Sequence, residues 1–309
     1  MDNTAQPQPS GPAPGGLLGT LRLPFLVLTP ACVLLGVASA QWRSGSVDIV
    51  DALLALLGAL AAHISVNAFN EYLDFRSGLD AQTRRTPFSG GSGVLPARPE
   101  LAGRVLAAAL FAFVLSAAVG LYFLVQRGMA LLPLGLLGLL IVAAYTSWIT
   151  RRPLLYLIAP GLGFGPLMVM GTDFVLTGSY SMTAAVASLV PFFLVNDLLL
   201  LNQFPDVEAD RRVGRRHLPL LIGRPASSRI YVLLLLLAYL SLLLGVIFDV
   251  LPAMALLGLL TLLPALPMAR GILRYADELD CLLPYMATNV GINIATPLLV
   301  AIGLLVGQL

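Results

Sequence analysis

The segment VDALLALLGALAAHISVNAFNEYLDFRSGLD, residues 50–80, decides the fold class. Residues 50–70 form an apolar run, and a helix needs about 20 such residues to cross the hydrocarbon core of a bilayer. Within the segment His63, Asn67, Asn70 and Asp74 are spaced four, three and four residues apart, so they lie on one stripe of a helix. The segment therefore predicts a membrane-spanning helix with a polar stripe that leads to one face of the membrane.

The same criterion marks nine apolar runs, at residues 23–40, 50–70, 105–126, 129–148, 154–171, 182–201, 230–248, 251–269 and 286–307. The composition agrees, because 58% of the 309 residues are hydrophobic and 11% are charged, against about 25% charged residues in soluble domains. We predict an all-α, polytopic membrane bundle of about nine transmembrane helices. Residues 21–309 form a single domain in this interpretation, and residues 1–20, rich in Pro, Gly and Gln, form a disordered tail.

The arginines predict the orientation of the bundle. Every basic residue is an arginine, and nine spans with a cytoplasmic N-terminus leave only Arg43 and Arg127 of the 18 on the outer side. This distribution follows the positive-inside rule. It predicts a multi-pass protein of the cell (inner) membrane whose polar loops 71–104 and 202–229 are both cytoplasmic. The net charge of +2 is too small to indicate a nucleic-acid partner.

A second polar motif follows the sixth apolar run. In NQFPDVEADRRVGRRHLPLLIG, residues 202–223, Asn202, Asp206 and Asp210 are spaced four residues apart. Asn202 and Asp206 thus repeat the N-x-x-x-D spacing of Asn70 and Asp74, four spans later and at the same side of the membrane. We expect the two motifs to face each other across one cavity.

The residue types of both motifs suit a hard divalent cation. Carboxylate and amide oxygens are the ligands that Mg²⁺ prefers, and it completes its shell with water and substrate phosphate. Arg215 and Arg216 follow the second motif closely. The sequence therefore predicts a site that binds a diphosphate through magnesium and arginine, in which the charge on a leaving pyrophosphate would be stabilised.

These motifs resemble those of the UbiA superfamily of intramembrane aromatic prenyltransferases. The resemblance rests on NEYLDFRSGLD followed by RTPFSGGSGVLP, and on NQFPDVEADRRVGRRHLPLLIG. The Asp-Phe-x-x-Gly-x-Asp form of residues 74–80, with AYT at 144–146 and FGPLMVMGTDFVLTG at 164–178, is most similar to the 1,4-dihydroxy-2-naphthoate polyprenyltransferases of menaquinone synthesis. It implies Mg²⁺-dependent transfer of a polyprenyl group from polyprenyl diphosphate to an aromatic acceptor.

The resemblance also implies roles for individual residues. The magnesium ligands would be Asn70, Asp74, Asp206 and Asp210, with Asp80 and Asn202 in or near the shell. Arg215 stands where the family usually has a lysine and would bind pyrophosphate. Further diphosphate contacts are expected from Arg22, Arg76, Asn67 and Asn202. Tyr145 would shield the allylic cation or orient the acceptor, and the residues expected to carry the chemistry are Asp74, Asp80, Asp206, Asp210 and Tyr145.

Two departures from the family pattern leave the acceptor open. Glu71 replaces an aspartate that often follows the first asparagine, and Phe164 stands where a glutamate often follows Gly161-Leu162-Gly163. Acceptors such as 4-hydroxybenzoate, and haem, chlorophyll-type or glyceryl-phosphate acceptors, are alternatives within the family. A transporter is the alternative from another class, because polar motifs on broken helices also describe substrate sites of transporters.

Several further polar residues have a structural interpretation. Asp197 lies one turn before the second motif and is interpreted as an interhelical hydrogen-bonding residue, and Asn289 and Asn293 as contacts between helices. For His63 the sequence leaves packing and function equally open. The SGGSG segment, residues 89–93, is predicted to be a mobile lid.

Overall fold

The computed structural model describes residues 16–80, 82–83 and 85–308, and this part of the chain is helical without any strand. Its long apolar helices are α1 Leu23–Ser44, α2 Ile49–Ser77, α3 Pro99–Arg127, α4 Met129–Ala144, α5 Pro153–Thr177, α6 Met182–Asn202, α7 Arg224–Ile247, α8 Ala253–Arg274 and α9 Leu279–Val306. Eight of them are long and apolar enough to span a membrane, and α4 is shorter. Each helix overlaps one predicted run, so the prediction of a polytopic bundle of about nine helices is confirmed.

Among the C-terminal ends of the helices, the predicted and observed positions differ most at α2. The apolar run ends at residue 70, but α2 continues to Ser77 and ends at Gly78, which adopts a left-handed conformation with φ 76°. The polar stripe thus stays helical over its whole length. Glycine suits this terminating position because it has no Cβ to oppose a positive φ.

The predicted disordered tail, residues 1–20, is wrong for its last five residues. Gly16–Thr20 form a short helix, and the side chain of Thr20 is fully buried. The reason is the apolar side chain of Leu17, which packs with Leu21 against a small core that includes Val94 and Leu95. Residues 1–15 lie outside the described part of the chain.

The nine helices pack in chain order around a closed ring. Each helix contacts the next, and α9 contacts α1. Helix α1 also packs against α5 and α6, and α6 packs against α9, so α1 and α6 separate a group α2–α5 from a group α7–α9. This arrangement brings the C-terminal ends of α2 and α6 to the same end of the bundle.

The two sides of the ring are packed differently. The largest hydrophobic core joins α1 to α6, α7, α8 and α9 and contains fully buried side chains such as Leu35, Leu201 and Tyr231. Asp197, Asn289 and Asn293 are buried on this side, where α6 packs against α9. Asn293 donates hydrogen bonds to the backbone oxygen (3.1 Å) and side-chain oxygen (3.2 Å) of Asn289. The side formed by α1–α5 instead encloses a large cavity.

Helices α5 and α6 approach closely at two glycines. A Cβ at Gly161 would lie 2.1 Å from the backbone oxygen of Phe192, and one at Gly165 would lie 2.5 Å from the backbone oxygen of Ser188. The amide of Gly161 donates to Asn196 Oδ1 over 2.6 Å. Small residues four apart are a common means of close helix packing in membranes. Between residues 163 and 170 helix α5 adopts π-helical turns around Pro166, which has no backbone N–H to donate.

This contact predicts different effects for two neighbouring substitutions. Gly161→Ala should destabilise the protein by about 1–3 kcal/mol, because the new methyl group meets the backbone of α6. Gly163→Ala is the matched control, since a Cβ there meets nothing within 4 Å, and it should leave the stability unchanged or raise it slightly. Thermal unfolding in detergent measures both. Equal melting temperatures for the two variants would contradict the close contact of α5 with α6.

Candidate active site

A small polar cavity of about 90 Å³ lies where α2 and α6 end. Both predicted motifs line it, α2 through Asn70 and Asp74 and the second motif through Asn202 and Asp206. It adjoins an apolar cavity of about 530 Å³ that is enclosed mainly by the five helices α1–α5. The residues that line both cavities are Arg22, Asn70, Phe88, Tyr145, Leu199 and Asn202. A ligand with a charged head and an apolar tail fits this pair of cavities.

The helix ends direct the acidic side chains toward the polar cavity. After Gly78 the amide of Leu79 bonds back to the oxygen of Asp74 over 3.0 Å, which turns the chain so that Asp80 lines the cavity. After α6 a turn closes with the amide of Asp206 on the oxygen of Gln203 over 3.2 Å. A short helix, Val207–Arg212, then carries Asp210. The two motifs thus meet although they are far apart in the chain.

Arg215 joins the two motifs directly. Its guanidinium donates to Asp74 Oδ1 on one side and to Asp210 Oδ1, at 3.1 Å, on the other. Burial opposes the charge on Arg215, but the neighbouring carboxylates outweigh it and raise the pKa of the guanidinium. The second oxygen of Asp210 contacts His217 Nε2 at 3.0 Å. Both oxygens of Asp210 thus contact other side chains, and Asp210 is absent from the lining of the cavity.

Four buried oxygens around the cavity have no hydrogen-bond partner in the described part of the chain: Asp80 Oδ2, Asn202 Oδ1, Gln203 Oε1 and Asp206 Oδ1. Burial, with Asp74 nearby, raises the pKa of Asp80 to about 8. Burial, with Asp210 nearby, raises the pKa of Asp206 to about 7. A cation between these groups would lower both pKa values, because it favours the ionised form.

This donor set fits a magnesium ion. Among the described residues no three His, Cys, Asp or Glu side chains converge as a metal site by themselves. Magnesium needs no such cage, since it usually takes one or two carboxylates and fills its shell with water and substrate phosphate. Asp80 and Asp206 would supply the two carboxylates, and the side-chain oxygens of Asn202 and Gln203 have no other hydrogen-bond partner among the described residues.

The other predicted residues occupy different positions. Asn70 accepts a hydrogen bond from Thr146 Oγ1, and Asn67 faces the apolar cavity and donates to the backbone oxygen of Leu21 over 3.3 Å. Tyr145 and Arg22 line both cavities. Arg76 is exposed and lines neither cavity, because two residues beyond Asp74 a helix presents its opposite side. The structure thus does not bring Arg76 to the site.

The structure adds residues that the sequence interpretation missed. Tyr156 lines the polar cavity, with its ring centre 5.9 Å from that of Tyr145 and 6.0 Å from that of His217. Gln203 and His217 lie inside the quoted second motif, but their spacing does not match the four-residue repeat. The family pattern marks Glu71 only as a departure. Only the three-dimensional contacts identify these residues.

His63 belongs to the wall of the apolar cavity. Its Nδ1 lies 2.7 Å from Thr29 Oγ1 on α1, and its ring meets Phe164 of α5 edge to face with 4.9 Å between ring centres. His63 thus connects three helices around the cavity. Phe164, which replaces the family's frequent glutamate, makes this part of the wall apolar.

The Arg215 contacts predict a cation-dependent change in stability. Arg215→Gln should cost about 3–5 kcal/mol, because Asp74 and Asp210 lose their shared positive partner while buried. Added Mg²⁺ should raise the melting temperature of this variant more than that of the wild type, since the metal restores positive charge. Thermal unfolding with Mg²⁺ or EDTA tests this. A loss of stability that Mg²⁺ leaves unchanged would contradict a cation site between the motifs.

Comparison with known proteins agrees with the family resemblance of the two motifs. The model of the UbiA prenyltransferase family matches residues 27–291. The 1,4-dihydroxy-2-naphthoate octaprenyltransferase of Escherichia coli (strain K12) is 29% identical over 304 residues, which cover 94% of this chain and 95% of that protein.

Two solved structures share the fold. A UbiA homolog from Aeropyrum pernix K1 superimposes with a TM-score of 0.64 at 18% identity, over 93% of this chain and 98% of the other. A UbiA homolog from Archaeoglobus fulgidus, solved with DMAPP and Mg²⁺, gives a TM-score of 0.56 at 15% identity, over 94% and 99% of the two chains.

Proposed function

The chain belongs to the UbiA prenyltransferase family, and from this membership we propose that it transfers a polyprenyl group from polyprenyl diphosphate to 1,4-dihydroxy-2-naphthoate with Mg²⁺. The observation that carries the proposal is the junction of the small polar cavity with the large apolar one. A diphosphate with its cation matches the first cavity, and a polyprenyl tail matches the second. The acceptor is proposed from the similarity to the Escherichia coli protein.

In the proposed complex Asp80, Asn202 and Asp206 hold the magnesium ion, and Asp74 and Asp210 position Arg215. Arg215 and Arg22, which both line the polar cavity, bind the diphosphate. When bound, the metal neutralises negative charge on the leaving pyrophosphate. Compared with the sequence-based assignment, this moves Asp74 and Asp210 from direct metal ligands to residues that orient the arginine.

The reaction then follows from the environment at the junction of the cavities. The bond between the allylic carbon and the diphosphate oxygen breaks, and pyrophosphate takes the electron pair. The acceptor ring donates an electron pair to form the new C–C bond. The ring then regains aromaticity by losing the group that the attacked carbon carried. This group is a proton or, if the attacked carbon bears the carboxyl group, carbon dioxide. The apolar walls keep water from the allylic cation. The ring of Tyr145 lines the junction, where an aromatic face stabilises positive charge.

Purified protein in nanodiscs should release pyrophosphate from geranylgeranyl diphosphate and Mg²⁺ with dihydroxynaphthoate and not with 4-hydroxybenzoate. Asp206→Asn should lower kcat/KM by about 100-fold or more, because it removes charge that holds the metal at the leaving group. Glu208→Gln is the control, since Glu208 is exposed on the neighbouring short helix. Product formation with 4-hydroxybenzoate alone would overturn the proposal that dihydroxynaphthoate is the acceptor. Labelled-solute uptake into proteoliposomes without pyrophosphate release would favour the transporter alternative.

We also propose that the polar cavity opens to the cytoplasm across the cell (inner) membrane, as the arginine distribution predicts. Ser46 and Cys281 are both exposed, in the α1–α2 connection and at the start of α9. An impermeant maleimide should label Ser46→Cys on intact cells, whereas Cys281 should react only after the cells are permeabilised. Cys32 is fully buried and should not contribute. The reverse labelling pattern would invert the orientation.

A further inference from the structure

We propose that Glu71 is a positioning residue that fastens the segment 85–93, the cap loop, over the polar cavity and thereby sets the affinity for the diphosphate substrate. The inference rests on the proposed function, because it assigns the polar cavity to a diphosphate. Glu71 itself lines neither cavity. Its hydrogen bonds can therefore act on the cavity only through the residues that they hold.

Glu71 is buried, with 2% of its surface exposed, on the turn of α2 that also carries Asn70 and Asp74. Both of its oxygens accept hydrogen bonds from Ser92: the hydroxyl donates to Oε1, and the backbone N–H donates to Oε2 over 3.1 Å. Hydrogen bonds to an ionised carboxylate are shorter and stronger than those between neutral groups. The pair Glu71–Ser92 is thus a two-point attachment between α2 and the end of the cap loop.

The cap loop forms one wall of the polar cavity. Phe88, Ser89, Gly90 and Gly91 all line it, and Phe88 also lines the apolar cavity. The loop has a defined shape, because Thr86 Oγ1 accepts from the backbone N–H groups of Phe88 (3.1 Å) and Ser89 (2.9 Å). The wall is therefore a folded turn whose position depends on where its ends are held.

The end of the cap loop packs tightly against Asp80. A Cβ at Gly91 would lie 2.6 Å from Asp80 Oδ1, and Gly90, Gly91 and Gly93 all have positive φ angles, of 84°, 72° and 72°. Only glycine adopts this path without strain. Because Ser92 lies between Gly91 and Gly93, its attachment to Glu71 fixes the part of the loop that contacts Asp80.

The attachment also couples the loop to the first motif. Asn70, Glu71 and Asp74 move as one rigid helical turn, so the loop is held at a constant distance from the residues of that motif. A shorter or uncharged side chain at position 71 would let the wall move away from the cavity. The diphosphate would then lose part of its enclosure, whereas Arg22 and Arg215, which are proposed to bind it, would stay in place.

The proposal predicts a larger effect on binding than on turnover. Glu71→Ala should weaken the binding of geranylgeranyl thiolodiphosphate with Mg²⁺ by about tenfold, the size expected for losing charge-assisted hydrogen bonds, and should raise KM similarly. The turnover number kcat should change by less than about threefold.

Ser92→Ala should weaken binding less than Glu71→Ala, because the backbone N–H of residue 92 still donates to Glu71. Glu71→Gln, which keeps the shape, serves as a second variant if Glu71→Ala does not fold, and it should weaken binding less than Glu71→Ala. Glu208→Gln removes an exposed charge, and it should change neither the binding of the thiolodiphosphate nor kcat.

The position of the loop can be measured separately. Pro87 is exposed on the cap loop, so a spin label on Pro87→Cys in a Cys281→Ser background reports its motion. Glu71→Ala and Glu71→Gln should both increase the mobility of the label. Unchanged mobility together with unchanged affinity would overturn the proposal, and so would a fall in kcat alone. If the label becomes mobile but the wild type neither binds the thiolodiphosphate nor releases pyrophosphate, the proposed function fails and only the attachment of the loop stands.

Discussion

The active site is organised by the bridge that Arg215 makes between Asp74 and Asp210. Asp74 from the first motif and the nearby pair Asp210 and Arg215 from the second are largely withdrawn from solvent, and each charge would be costly there if it were alone. Together they offset one another, and they join the end of α2 to the short helix Val207–Arg212 that follows α6. The ring of helices places the ends of α2 and α6 at the same side of the bundle, and the guanidinium links the two motifs there directly. An arginine suits this role better than a lysine, since its planar group has donors for two carboxylates at once.

The sequence was sufficient to predict the helices, their number and the two polar motifs. Hydrophobic length is a strong signal in membrane proteins, because the bilayer imposes it on every span. The four-residue spacing likewise predicted that the stripe from Asn67 to Asp74 would face inward. The same helical period places Arg76 on the side of α2 opposite to Asp74, and its expected role came from the family resemblance alone. The spacing could not show that residues 16–20 are helical.

The roles within the site depend on contacts that no pattern contains. Asp74 and Asp206 occupy equivalent places in their motifs, yet the first contacts Arg215 and the second has an oxygen free for a cation. His217 becomes part of the site only because the chain after the short helix folds back against Asp210. A sequence repeat therefore predicts proximity, whereas the proposed division between cation ligands and residues that position Arg215 rests on the contacts of the fold.

The unequal packing of the two sides of the ring has a consequence for how such a protein can diverge. The compact side, α6–α9, holds the second motif in a dense core where most substitutions change stability. The hollow side, α1–α5, is bordered by small residues such as Gly120 and Gly135, at which an added Cβ meets nothing within 4 Å. Mutations can accumulate there with little cost to folding and none to the charged groups. Under the proposed function, the preference for prenyl tails of different length can therefore drift independently of the chemistry at the diphosphate.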